Sequence, residues 1–161
     1  MLLSHAKVDF TDRVIEMSEW RDIKKNEMGG GQVPAFDITN ADGTTSRMTQ
    51  STSILRYLGK VHGYYPEDAK VAYEVDRVMD DFNDILGLIY KPHFDKNLDS
   101  TDIFEKILPK YLKTIEDRCA TNEFMVGDKM TIADFWVGQL YTNYLTNELC
   151  FTPEKWTGVL D

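Results

Sequence analysis

Apolar and polar positions divide this chain into two stretches of different period. Up to about residue 62 the pattern is mixed. Leu2, Leu3 and Ala6 place residues 1–8 in the tail of a helix. Phe10, Val14 and Ile15 recur loosely within residues 9–17 and predict a strand that turns all three toward a core. Residues 18–26 are polar with one Trp and read as a turn of helix and a loop. Gly29-Gly30-Gly31 is a flexible run, and it lacks the Lys-Ser/Thr that a phosphate loop requires. Two short strands follow, at about 33–38 and 45–49. Asn40-Ala41-Asp42-Gly43 between them is a hairpin turn signal. A helix over 51–62 carries Ile54, Leu55, Leu58 and Val61 on one face. Gly63 caps its end and Pro66 forbids continuation, so a domain boundary falls here, giving 1–63 and 64–161.

Beyond the boundary the period is helical. Over 68–91, Val71, Val75, Val78, Phe82, Ile85 and Ile89 form a core stripe at alternating four- and three-residue spacings. The opposite face holds Glu74, Asp76, Arg77, Asp80, Asp81 and Asp84. A further helix over 101–121 lines up Leu108, Leu112, Ile115 and Cys119, with Pro109 kinking it or marking its first ordered turn. Thr131-Ile132-Ala133-Asp134 is a capping box in which Asp takes the usual Glu place. Met130 and Phe135 flank it as a hydrophobic staple. Thr152-Pro153-Glu154-Lys155-Trp156 starts a short helix at its proline.

Composition narrows the function classes. A net charge of −9 argues against a nucleic-acid partner, which would need a basic face. At 42% hydrophobic and 12% aromatic, the chain has enough apolar mass for a folded core. The two cysteines, Cys119 and Cys150, form no metal or redox spacing and read as reduced, buried and inert. That fits an intracellular chain, cytoplasmic by default. No apolar run reaches membrane-spanning length, and the first residues lack the features of a signal peptide. His5, His62 and His93 have no partners at ligand spacing, so they read as surface or capping residues and no metal is expected.

The candidate chemistry gathers at two places close in sequence. Gly31-Gln32-Val33-Pro34-Ala35-Phe36 is an apolar strand that begins at a Val-Pro bond. Met48-Thr49-Gln50-Ser51 runs from a strand end straight into a helix start. A helix start attracts carboxylates, because its first N–H groups lack partners and the dipole there is positive. A cis Val33-Pro34 bond is expected, since it turns the Val33 N–H and C=O toward a ligand. A peptide with a free carboxylate fits both features. Taken alone, Gln50-Ser51 is a strand end and a helix cap, and Asp76 is one solvated acid among several.

Gly-Gln-Val-Pro-Ala-Phe, then Thr-Gln-Ser-Thr-Ser-Ile-Leu-Arg-Tyr-Leu-Gly, then Tyr-Pro-Glu-Asp resembles the glutathione transferases, closest to the sigma-like class. The Thr-Ile-Ala-Asp box resembles the folding motif of that family's helical domain, so Thr131 and Asp134 take a structural role, as does Pro34. The resemblance implies a thioredoxin-like glutathione-binding domain over 1–63 and an all-helical domain over 64–161. It assigns the γ-glutamyl carboxylate of glutathione to Ser51, with Gln50 alongside. Val33 pairs main chain to main chain with the cysteinyl unit, and Gln32 contributes beside it. Lys24 supplies charge for the glycyl carboxylate, and Trp20 an indole donor. Asp76 reaches the α-amino group of glutathione held by the partner subunit of a dimer.

The resemblance further implies a first strand ending in a Tyr or Ser whose hydroxyl donates to the glutathione sulfur. The sequence as given does not contain that strand, nor the helices that close the far end of the family fold. The 9–17 strand normally pairs only with that first strand. Here it must dock on the 33–38 edge, pair with another chain, or fail to form. Two functions stay open on this reading. For the chain as given, the expectation is a non-catalytic structural subunit of a larger assembly that keeps most of its glutathione cleft, its ends covered by a homodimer mate or other subunits. For a longer version, the expectation is an active transferase that conjugates glutathione to electrophiles, or a prostaglandin or peroxide isomerase.

Overall fold

The computed structural model describes residues 1–26, 31–95 and 97–145, with side chains except at 24–26, 92–94, 144 and 145. The expected short helix at 152–156, Cys150 and the His93 side chain lie outside the described residues. The chain divides into two compact units, Met1–Gly63 and Tyr64–Asp161.

The first unit contains α1 (Leu2–His5), α2 (Met17–Asn26), the strands β1 (Ala35–Thr39) and β2 (Thr45–Thr49), and α3 (Ser51–His62). The strands pair antiparallel, with Ala35 opposite Thr49 and Asp37 opposite Arg47. The turn is built from its own side chains. Asp42 Oδ1 accepts from the Thr44 N–H at 2.9 Å and the Thr44 hydroxyl at 2.6 Å. The Asn40 N–H donates to the Thr44 carbonyl at 2.8 Å, and Gly43 takes φ 82°, where a side chain would be strained. The Arg47 guanidinium grips Asp37 with two bonds of 2.7 and 2.6 Å. These bonds lower the Asp37 carboxyl from its ordinary value, against the opposing effect of burial. Leu2, Ile23, Ile54 and Leu58 are the buried apolar residues here, and α1 packs on α3. Gly63 ends α3 in the left-handed conformation at φ 80°.

Residues 9–17 do not form the expected strand. Residues 8–16 have no regular structure, with Phe10 and Val14 exposed and Ile15 half-buried. A strand needs a ladder to satisfy its main-chain groups. Among the described residues the only sheet is β1–β2. A cleft of about 860 Å³ separates residues 8–15 from β1, with Tyr57, Leu58 and Val61 of α3 also in its lining. Residues 18–26, expected as a turn of helix and a loop, are helical throughout as part of the ten-residue α2, which buries Ile23.

The regular elements described in the second unit are all helical: α4 (Ala69–Phe94), a π-helical turn (Ile103–Ile107), α5 (Leu108–Thr121), α6 (Ile132–Leu140) and a second π-helical turn (Tyr141–Leu145). Asp68 caps α4, accepting from the Lys70 and Val71 N–H groups at 3.0 Å. The α4 stripe buries Val75, Val78, Phe82 and Ile89, leaves Ile85 half-buried, and extends to Met79 and Leu86. A helix packed on more than one neighbour needs this wider stripe. Val71, in the first turn, is exposed at 40%. Phe82 is the centre of the core, stacked on Tyr111 of α5 at 6.0 Å and edge-on to Trp136 of α6 at 6.3 Å. Burial pushes the Tyr111 hydroxyl pKa well up. The Trp136 Nε1–H donates to Asn83 Oδ1 at 3.1 Å.

Pro109 sits in the first turn of α5. It has no N–H, and its ring crowds the carbonyl four residues back. The widened turn before it, in which the Leu108 N–H reaches the Ile103 carbonyl, accommodates that crowding. The apolar stripe of α5 fades along the helix: Leu108 is buried, Leu112 and Ile115 are half-buried, and Cys119 is exposed. The expectation of a buried Cys119 is therefore corrected. Its neighbour Arg118 still reaches Glu74 of α4 at 3.9 Å, so Cys119 is exposed because it turns to the solvent side of this last turn.

Candidate functional site

The pairing of β1 with β2 brings the two candidate segments together. Ala35 lies opposite Thr49, so the chain entering β1 and the chain leaving β2 run side by side. Gln32, Val33 and Pro34 are on the entering segment; Gln50 and Ser51 are on the leaving one. The Val33–Pro34 bond is cis. Val33 and Gln32 are exposed, Val33 at 55%. Ser51 is half-buried as the first residue of α3.

Gln50 makes the corner. It has φ 72° and ψ 108°, and its carbonyl accepts from the Ile54 N–H at 2.9 Å. Positive φ is costly for a residue with a Cβ, about 1–2 kcal/mol. The sequence carried no sign of this, because a positive φ at Gln has no side-chain signature. The Gln50 side chain makes no capping bond, so the first N–H groups of α3 are presented where a carboxylate could meet them. No acidic residue stands in that first turn, while Lys60 and His62 lie in the last. This end of the helix keeps its positive character.

Trp20 and Lys24 lie four residues apart on one face of α2 in the same unit. Trp20 is half-buried, and the Lys24 side chain is outside the described residues. Asp76 belongs to the second unit. It is half-buried on α4, and its Oδ2 accepts from the Tyr65 hydroxyl at 2.7 Å. The spacing of the acids along α4 does not reveal this bond, since Tyr65 comes from the loop before the helix.

Thr131 and Asp134 form the capping box. Asp134 Oδ2 accepts from the Thr131 N–H at 2.8 Å, and Thr131 Oγ1 accepts from the Ala133 N–H at 3.3 Å. Asp134 does more than a box requires: its Oδ1 accepts from the Met125 N–H at 2.8 Å, which ties down the preceding loop. The Ile132 N–H donates to the Tyr64 carbonyl at 2.9 Å, and the Tyr64 ring meets Phe135 edge-on at 5.3 Å.

The residues gathered around Val33 and Ser51 are donors and main-chain groups. They suit holding an extended, carboxylate-bearing peptide. Among the described residues, no group of three His, Cys, Asp or Glu could hold a metal ion, and no helix is long and apolar enough to cross a membrane.

Residues 79–156 match the family model described as glutathione S-transferase, C-terminal domain. The chain is 30% identical over 140 residues to the glutathione S-transferase class-mu 28 kDa isozyme of Schistosoma mansoni, covering 83% of this chain and 66% of that one. It is 30% identical over 159 residues to S-crystallin SL20-1 of Nototodarus sloanii, covering 83% and 69%. Prostaglandin synthase D of Nilaparvata lugens superposes with a TM-score of 0.74 at 25% identity, over 98% of this chain and 80% of that one. The chain spans from about two thirds to three quarters of the curated relatives it matches. By its helical-domain match and its likeness to relatives along most of its length, this chain belongs to the glutathione S-transferase family.

Proposed function

We propose that the unit Met1–Gly63 is a thioredoxin-like glutathione-binding domain, followed by a helical domain over 64–161. The carrying observation is the β1–β2 register, which sets the exposed Val33 main chain beside the uncapped start of α3. In this reading Ser51 and the first N–H groups of α3 take the γ-glutamyl carboxylate, with Gln50 alongside. Val33 pairs with the cysteinyl unit like an added strand, and Gln32 contributes beside it. Trp20 and Lys24 serve the glycyl carboxylate. Asp76 takes the α-amino group of glutathione bound by the partner subunit of a homodimer. Glutathione is thus the ligand, and no metal is involved.

On this proposal the residues at the site hold and orient glutathione without activating its sulfur. A thiol of ordinary pKa, about 8.5, is only a few per cent thiolate at neutral pH. Activation needs a donor aimed at the sulfur, and the groups at the site are matched to carboxylates and main chain instead. The function favoured on this reading is that of a glutathione-binding structural subunit. Among its relatives, S-crystallin SL20-1 keeps this reading in view. A second reading, transfer of glutathione to an electrophile, has its support in the likeness to the class-mu 28 kDa isozyme.

Titration calorimetry with glutathione tests the site, and turnover of a general electrophile separates the readings. Binding that weakens in Ser51→Ala, without turnover, is the expected result. Binding unaffected by Ser51→Ala removes the site. Turnover by the 161-residue chain at the rate of a relative overturns the non-catalytic reading.

A further inference from the structure

The hairpin turn fixes which way the main chain of β1 faces. The Asn40 N–H donates to the Thr44 carbonyl, one step beyond the Thr39–Thr45 pair of the register. Bonded and non-bonded pairs alternate along an antiparallel ladder. Phe36 and Ile38 therefore bond to β2, and the N–H and C=O groups of Ala35, Asp37 and Thr39 point away from it. Among the described residues β1 has no second neighbour in its sheet, and these groups make no main-chain bond elsewhere. They face the cleft between β1 and residues 8–15, whose lining Tyr57, Leu58 and Val61 of α3 complete with apolar surface. That cleft has a volume of about 860 Å³. One five-residue strand, at ordinary rise, strand spacing and sheet depth, fills about 800 Å³.

We infer that this cleft is a docking slot for a single extended segment of another polypeptide, apolar at alternate positions and basic at its ends, which pairs with the outer edge of β1. The inference stands apart from the glutathione reading. A compact apolar ligand would cover the main-chain groups of Ala35, Asp37 and Thr39 without bonding them, whereas an added strand satisfies each in turn. Residues 8–15 wall the far side, so the edge of a folded sheet cannot enter: its own next strand would run into that wall. An isolated segment can. Alternate side chains of a strand turn to one face, and here that face meets the apolar surface of α3. Charge settles the ends. The lining carries Asp9, Asp12 and Asp37 against Arg13 and Arg47, with Asp37 already paired to Arg47 at 2.6 Å. The whole chain has a net charge of −9, so a basic segment is drawn in and an acidic one repelled.

The test titrates the full chain with a capped peptide, Lys-Val-Thr-Val-Thr-Val-Lys, and follows amide hydrogen exchange in β1. Exchange at Asp37 and Thr39 is expected to slow about tenfold at a peptide concentration ten times its Kd. Exchange at Phe36 and Ile38, already bonded to β2, is expected to change less. The same peptide N-methylated at its inner amides should bind at least about tenfold more weakly, since each lost bond costs about 1 kcal/mol. A version with Glu in place of both Lys should also bind more weakly, with the gap closing as salt is added. Absence of binding at millimolar peptide overturns the inference. So does equal binding of the methylated peptide, which would make the slot a site for apolar matter rather than a strand. Equal binding of the Glu version removes the basic partner. Slow exchange at Asp37 and Thr39 that grows with protein concentration, without peptide, places a second copy in the slot and likewise overturns the inference.

Discussion

Helices α3 and α6 begin in opposite ways. At α6 the chain supplies an acceptor for each early donor: the Tyr64 carbonyl for Ile132, Thr131 Oγ1 for Ala133, and the Thr131 carbonyl for Asp134 at 3.2 Å. Thr131, Ile132 and Ala133 are buried. At α3 the residue in the capping place is Gln50, whose side chain makes no capping bond and whose backbone takes a strained φ. The first start is internally complete and serves the fold. The second lacks a side-chain cap and turns on a positive φ, the arrangement that the proposed carboxylate site would use. A helix start that a protein leaves uncapped, at a strained corner beside an exposed strand head, is better explained by binding than by folding.

The sharpest way to break this contrast is at α6. Asp134→Ala removes the acceptor for the Met125 and Thr131 N–H groups together. Each bond to a charged partner contributes about 1.5–3 kcal/mol, so a loss of about 3 kcal/mol or more is expected in denaturant unfolding. A loss under about 1 kcal/mol would mean that the box is ornamental and the contrast false. Ser51→Ala is the counterpart at α3. It is expected to leave stability within about 0.5 kcal/mol, as for most changes away from a packed core. It should also weaken glutathione binding by about tenfold, on the scale of one charge-assisted bond. Calorimetry and chemical unfolding on one sample measure both.

Gln50→Gly sharpens the comparison further. Glycine adopts positive φ without strain, so the variant should gain about 1 kcal/mol in unfolding free energy. Affinity for glutathione should fall at the same time, since the side chain beside the carboxylate is gone. A variant that becomes less stable would show that the corner is not strained.

The smallest expected effect lies in the hairpin that carries the site. The bonds from Arg47 depress the Asp37 carboxyl below its ordinary value near 3.8. A depressed folded-state pKa contributes stability above the unfolded value and loses it as pH falls through the folded one. Stability should therefore drop below about pH 4, and Asp37→Asn should flatten that part of the profile. The pair is exposed, so screening holds its contribution to about 0.5 kcal/mol. Equal pH profiles for the two proteins would discard it.

Much of this was legible in the residues. Helix α3 runs over 51–62 as its apolar face and Gly63 indicated, and the hairpin forms where Asn40-Ala41-Asp42-Gly43 stands. The Thr131–Asp134 box forms from its own four residues. These features are local: each depends on contacts within a few positions of chain, which spacing reports directly. The strand expected at 9–17 did not form, and spacing could not foretell that. Its alternation is present, but a strand exists only as part of a ladder, and pairing is a property of the whole sheet.

What the sequence by itself determined, then, was the local grammar: the two periods, the caps, the turn, and the donor-rich pairing of Val33 with Ser51 as candidate chemistry. Tertiary structure alone decided the rest. It committed Asp76 to Tyr65, extended Asp134 to Met125, carried Cys119 to the surface, and left Phe10 and Val14 exposed beside a cleft. The physical reason is common to these cases. Periodicity states which side chains share a face, but a hydrogen bond across a loop, or burial under a neighbouring helix, depends on distances between elements that no spacing encodes.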